Sequence, residues 1–259
     1  MARFLALGYL ASAVMMLLLW FWQKRSGRAE IIDIGWVFGI VGLTCLAAFS
    51  QPEHQPKQIL VATLYLLWGL RLGSHLLTRY FGTGREDPRY AFLRQAWGST
   101  ASNRFFWLFQ FEALLIPMLA WPSYLASSGS APSIDKWALA GSLTWLVGII
   151  GETVADRQLK GFKKKETGEK VCQDGLWRYS RHPNYFFEWL IWVGFAITAI
   201  PSAWGWTGLA APVAMWVFLR WVTGVPVSEA QAIRSRGEAY LAYQKTTSPF
   251  LPLPPRRSS

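Results

Sequence analysis

Gly175-Leu-Trp-Arg-Tyr-Ser-Arg-His-Pro-Asn-Tyr-Phe-Phe-Glu188 runs straight into the apolar stretch 189–200. Two Arg, one His, two Tyr, one Asn and one Glu share these fourteen residues. Such a cluster at the mouth of a membrane helix is costly unless something polar occupies it. A basic, aromatic belt that anchors a helix at the interface would need only Arg, Trp and Tyr. It has no need of Asn184 and Glu188, four apart on one helical face and pointing inward. The stretch is therefore read as one wall of a ligand site at the rim of a membrane helix.

The rest of the chain fits a membrane setting. Of 259 residues, 52% are hydrophobic, 16 are Trp and only 16% are charged. That is too apolar and too aromatic for an ordinary soluble domain. The formal net charge of +11 could suggest nucleic acid. Yet the basic residues fall in short blocks between long apolar runs, as in a polytopic membrane protein, so no nucleic-acid partner is expected. Cys45 and Cys172 stand far apart, and His54, His75 and His182 lack ligand spacing. Neither a disulfide nor a metal site is expected. Nothing points to a protein partner.

About twenty apolar residues cross a bilayer as a helix. Seven runs qualify: 4–22, 31–50, 58–78, 105–125, 137–153, 185–200 and 204–222. The first is too long for a signal-peptide core and is kept as a span. The gap after the first span holds Lys24, Arg25 and Arg28, and the next holds only Lys57. The third gap holds Arg85, Arg89 and Arg94, the fourth only Lys136. The fifth holds Arg157, Lys160, Lys163, Lys164, Lys165, Lys170, Arg178 and Arg181, and the sixth none. Rich and poor gaps alternate. The positive-inside rule then predicts an all-α integral membrane protein, a seven-transmembrane helix bundle with its N-terminus outside and its C-terminus cytoplasmic. Residues 1–259 read as one membrane domain, with 223–259 a cytoplasmic tail that ends in an extended Pro-rich stretch. The bacterial inner membrane is the expected location.

Polar residues gather at the cytoplasmic ends of two spans. Glu152 and Asp156 are four apart on the fifth, Asn184 and Glu188 four apart on the sixth. The basic loop from Arg157 to Arg181 joins them. Carboxylates suit ribose hydroxyls or an amide, and Lys and Arg suit phosphates. The pattern fits a nucleotide-like ligand, with anionic lipid under a polybasic loop as the plainer reading. Gly82-Thr-Gly84 lacks a third glycine, and no P-loop motif occurs. Any nucleotide must be held by the bundle and its loops.

The motif Gly175-Leu-x-Arg-Tyr-Ser-Arg-His-Pro-Asn-Tyr-x-x-Glu188 resembles the signature of the steroid 5-alpha-reductase family. The likeness is to its bacterial 3-oxo-5-alpha-steroid 4-dehydrogenase-like branch, long described only as a domain of unknown function. Asp33-Ile-Gly-Trp36, Trp68-Gly-Leu-Arg-Leu72, Arg85-Glu-Asp-Pro-Arg-Tyr90, Gly224-Val-Pro226 and Gly237-Glu-Ala-Tyr240 extend the likeness over nearly the whole chain. The resemblance implies NADPH bound from the cytoplasmic side and an apolar steroid-like or polyprenyl substrate reached from membrane lipid. It implies reduction of a carbon–carbon double bond conjugated to a ketone. It carries cofactor binding onto Asp156, Lys163, Arg178, Tyr179, Arg181, His182, Asn184, Glu188 and Arg220, beside Glu152. Trp36 and Trp68 would border the substrate. The family holds the ketone with a Glu and a Tyr. Asp33 takes the Glu position here. The Tyr position falls near Trp68, which has no hydroxyl, so Tyr65, one turn earlier, is the expected partner. An isoprenylcysteine-type methyltransferase using S-adenosylmethionine carries a similar Arg-His-Pro core and is the alternative. A transporter would show inverted repeats, and none is found.

Overall fold

The computed structural model describes residues 1–49, 55–128, 133–164 and 171–256. Among them the chain is all-helical, apart from one isolated parallel bridge between Ser180 and Ser248. Among the described residues six helices are long and apolar enough to cross a membrane. The chain forms two compact units, 1–135 with 201–208, and 136–200 with 209–259.

The first unit holds α1 (Ala2–Ser26), α2 (Ile31–Phe49), α3 (Pro56–Thr83), α4 (Pro88–Trp97) and α5 (Ala101–Ser127). Lipid tails are as apolar as Leu, so helices associate here by close packing at small residues. A Cβ on Gly35 of α2 would stand 2.2 Å from Leu19 of α1, and one on Gly69 of α3 2.3 Å from Val41 of α2. Short α4 is pinned at its start. Asp87 caps it by accepting from Arg89 N at 2.8 Å, with Pro88 at the first helical position. Arg94 pairs with Glu86 at 2.7 Å, and Glu86 accepts from Ala29 N before α2.

The second unit holds α6 (Lys136–Lys164), α7 (Pro183–Ala199), α8 (Ala210–Val217), α9 (Val225–Arg236) and α10 (Glu238–Thr246). α6 and α7 pack antiparallel on glycines. A Cβ on Gly141 would lie 2.6 Å from the Gly194 carbonyl, and one on Gly148 2.9 Å from Ile191 N. The sequence ends the fifth span at Thr153, but the helix continues to Lys164. Residues 154–164 are mostly good helix formers and contain no proline, so the helix outruns the bilayer-length window. The first part of the expected basic loop is therefore helical, and Lys165 and Lys170 lie outside the described residues.

The expected regular span 204–222 is broken. A 3-10 turn (Gly205–Leu209) precedes α8, and a π-helical turn (Phe218–Val222) follows it, with Thr223 N donating to Phe218 O at 2.8 Å. α7 has 17 residues, about 25 Å of helix, the low end of the length needed to cross.

Candidate functional site

The quoted motif folds as a bent strap over the end of α6. Gly175 sits at φ 56°, which favours glycine, and a Cβ there would be 2.2 Å from the Gln158 amide. That closeness lets Gln158 Oε1 accept from Leu176 N at 3.0 Å. Trp177 Nε1 donates to Ala155 O, locking the short 3-10 helix Gly175–Arg178 onto α6. The tail then crosses the strap. Ser180 Oγ donates to Phe250 O, Arg181 N to Ser248 O and Leu253 N to Tyr179 O. Tyr243 from α10 donates to the carbonyls of Trp177 and Ser180.

These elements enclose a cavity of about 240 Å³. Lys163, Arg181, His182 and Asn184 line it, so the structure brings together four of the ten expected cofactor residues. Asn184 sits in the first turn of α7, where backbone N–H groups favour anions. Its Oδ1 is buried with no hydrogen-bond donor among the described residues. Ser228, Gln231, Ser235 and Arg236 of α9, with Tyr240 and Tyr243 of α10, supply the facing wall. Burial pushes both phenols up, Tyr240 to about 12, so they stay protonated donors at neutral pH.

The other six candidates do not line this cavity. Glu152 and Glu188 are buried along the α6–α7 contact, and Glu188 accepts from Trp192 Nε1 at 2.9 Å. Asp156, Arg178 and Tyr179 are exposed. Arg220 lies in the π turn, over Trp221. Arg181 reaches the cavity, yet its guanidinium is engaged inside the fold. Nε donates to Glu229 at 2.6 Å, and Nη1 to the carbonyls of Gln244 and Thr247. Sequence reasoning missed the α9 and α10 wall. The signals were the helix start at Gly224-Val-Pro226 and the break at Gly237.

His182 is buried, its ring stacked on Tyr185. Burial draws its imidazole below the ordinary value, against the opposing pull of Glu229 Oε1, 3.5 Å from Nε2. Below about pH 6.5 the folded chain then binds fewer protons at this group than the unfolded chain. Its effect on stability is absent above that pH and grows unfavourable as pH falls. The apparent Tm of the solubilised protein should drop between about pH 7.5 and 5.5, and His182→Asn should lessen the drop. An unchanged slope in the variant would assign the drop to other groups.

A second polar cluster lies in the first unit. Asp33, in the first turn of α2, pairs with Arg89 at 3.0 Å and Arg79 at 3.5 Å. Tyr90 donates its hydroxyl to Asp33 Oδ1 at 2.6 Å. Tyr65, the hydroxyl expected beside Asp33, donates instead to Leu119 O at 3.1 Å and is fully buried in the core. Trp36 and Trp68 meet edge-to-face with ring centroids 5.9 Å apart.

Residues 19–247 match the sequence model of a family described as "Protein of unknown function (DUF1295)". The chain is 30% identical over 225 residues to 3-oxo-5-alpha-steroid 4-dehydrogenase 1 of Bos taurus, across 81% of this chain and 75% of that protein. The chain belongs to the steroid 5-alpha-reductase family. Shorter alignments agree. The chain is 39% identical over 62 residues to 3-oxo-5-alpha-steroid 4-dehydrogenase 1 of Mus musculus, across 24% of each chain. It is 33% identical over 90 residues to steroid 5-alpha-reductase DET2 of Gossypium hirsutum, across 34% of this chain and 33% of that one. No solved structure matches. The residues matched by the family model thus include the cavity-facing His182 and Asn184, and Tyr90, whose hydroxyl meets Asp33.

Proposed function

We propose that this protein is an NADPH-dependent reductase of the carbon–carbon double bond of an apolar enone, the Δ4 bond of a 3-oxo steroid being the leading substrate. The named relatives, steroid dehydrogenases and reductases, support the reaction class and tell against the methyltransferase alternative. In this reading the whole chain, 1–259, acts as one seven-span domain of a bacterial inner membrane. Its N-terminus is outside and its C-terminus cytoplasmic.

The observation that carries the cofactor is the make-up of the cavity. Lys163 and Arg236 offer cations for phosphates, and the first turn of α7 offers backbone donors. The buried Asn184 Oδ1 awaits a donor such as a ribose hydroxyl or a carboxamide. A volume of about 240 Å³ suits one end of a dinucleotide, since whole-ligand pockets run from roughly 300 Å³ upward. The bound cofactor would supply hydride to the β-carbon of the enone. Negative charge then grows on the ketone oxygen, and a placed hydrogen-bond donor there lowers the barrier. Tyr90, held beside ion-paired Asp33, is the donor in this reading, its one hydroxyl proton turning from Asp33 to the ketone oxygen, in place of Tyr65. Glu152, Asp156, Arg178, Tyr179, Glu188 and Arg220 remain proposed cofactor contacts on sequence grounds, with Trp36 and Trp68 at the substrate.

The test is turnover of a 3-oxo-Δ4 steroid by the solubilised protein with NADPH or NADH. A charge-assisted contact to the extra phosphate should favour NADPH by about tenfold or more. Equal rates would remove Lys163 and Arg236 as readers of that phosphate. Absence of a saturated 3-oxo product would remove the substrate assignment. Asn184→Ala should weaken NADPH binding by roughly 1–3 kcal/mol, the range for a lost buried partner, as read by titration of nucleotide fluorescence.

A further inference from the structure

Glu112 lies near the middle of α5, a position where a carboxyl group is costly and usually functional. No described group donates a hydrogen bond to it. Two contacts fix its level along the helix pair. A Cβ on Gly39 of α2 would lie 2.9 Å from Ile116 of α5, and Ser123 Oγ donates to Thr44 Oγ1 at 3.1 Å. Positions rise together along both helices, so α2 and α5 run parallel. Glu112 stands one turn before Ile116. It is thus level with Gly35, about 3 Å further in than Asp33 along the helix axis. Phe105, two turns earlier on the same face of α5, packs against Tyr90 with ring centroids 6.4 Å apart. Phe105, Glu112 and Ile116 share the face of α5 that meets Tyr90 and α2.

We propose that Glu112 is the inner acid of this site and returns to Tyr90 the proton that each reduction removes. The inference rests on the reductase reading above. Asp33 is poorly placed for that task, because Arg79 and Arg89 already pair with it. The steps balance as follows. The enone β-carbon gains hydride from the reduced nicotinamide, and the π pair moves to form an enolate. The Tyr90 O–H bond breaks as its proton passes to the enolate oxygen, and the enol becomes the saturated ketone by releasing that O–H proton to water while the α-carbon takes one proton from water. The phenolate takes the proton of the Glu112 carboxyl group. The resulting carboxylate takes one proton from water, so each turnover consumes one enone, one reduced nicotinamide and one proton. Glu112 acts through Tyr90 and touches neither substrate nor cofactor.

Glu112→Gln keeps the side-chain shape but carries no acid proton. The experiment compares the first turnover, by stopped flow, with steady-state turnover of a 3-oxo-Δ4 steroid with NADPH saturating. Monodispersity and Tm of the solubilised variant report its fold, and Glu112→Asp serves as the conservative variant. The first turnover should stay within about threefold of the parent, while later turnovers slow by about tenfold or more. Added formate or azide, small weak acids, should restore much of the steady-state rate, and Glu112→Asp should retain part of it. Parental steady-state turnover overturns the relay. So does an equal loss in first and later turnovers, or a loss that neither acid restores. A parent protein that oxidises no NADPH with the steroid overturns the reductase reading and the relay with it, before any variant is made.

Discussion

Tyr90→Phe should slow single-turnover reduction of a 3-oxo-Δ4 steroid by roughly two to three orders of magnitude, the usual effect of removing one placed donor to a developing oxyanion. The variant loses one hydroxyl and no ring. Phe105 still packs on the ring, and Asp33 keeps Arg79 and Arg89. Stability should therefore fall by only about 1 kcal/mol, the net value of a hydrogen bond. Tyr65→Phe is the matched control. It removes a donor to the Leu119 carbonyl in the core and should cost turnover little. Asp33→Asn should retain part of the rate, because an amide can still orient Tyr90, whereas Asp33→Leu should lose nearly all of it. Product formation with NADPH saturating is the readout. A parental rate in Tyr90→Phe beside a slow Tyr65→Phe would return the role to Tyr65. A parental rate in Asp33→Leu would leave Asp33 as a helix-start charge alone, where it contributes roughly 0.3–1 kcal/mol.

The contrast between Tyr65 and Tyr90 shows what the sequence could convey. Hydropathy located α1, α2, α3, α5 and α6 because bilayer thickness dictates how many apolar residues must run together. It could not place the end of α6, since it reports the bilayer and not the helix. Residues 154–164 leave the apolar window without leaving the helix. Within one helix, spacing shows which residues share a face, so it points to Tyr65 for a role near Trp68. The hydroxyl that meets Asp33 comes instead from 57 residues away, across a turn capped by Asp87 and Pro88. No periodicity reports such a contact. The motif Arg85–Tyr90 was visible, but its partner was not. The tail was obscured for a related reason. α9 and α10 are polar and short, so they read as solvated chain. Their function as a cavity wall depends on Tyr243 reaching the strap at Trp177 and Ser180. On α6, Gly141 and Gly148 stand seven residues apart, a spacing that puts them on one face. That they face Gly194 and Ile191 of α7 is not legible from that spacing.

Arg181 separates a structural cation from a ligand-binding one. Its side chain is nearly buried, and its partners are Glu229, the Gln244 carbonyl and the Thr247 carbonyl. These tie the strap to α9 and to the end of α10. Arg181→Met keeps much of the volume and removes the charge. Glu229 would be left with the Gln244 amide at 2.9 Å and with His182. Breaking one side of a buried pair costs about 3–5 kcal/mol, because the remaining charge stays desolvated. For a chain of this size that corresponds to a fall in apparent Tm on the order of 10 °C. Lys163 is exposed and Arg236 half-buried, and neither forms an ion pair among the described residues. Lys163→Ala and Arg236→Ala should leave Tm nearly unchanged and weaken NADPH instead. Arg181→Met combined with Glu229→Leu should recover part of the lost Tm, since no unpaired buried charge remains. Melting of the parent and the four variants with and without NADPH separates the two roles. If Arg181→Met melts at the parental temperature yet no longer gains stability from NADPH, its guanidinium is a phosphate ligand and the ties to Glu229 and the tail carbonyls are incidental.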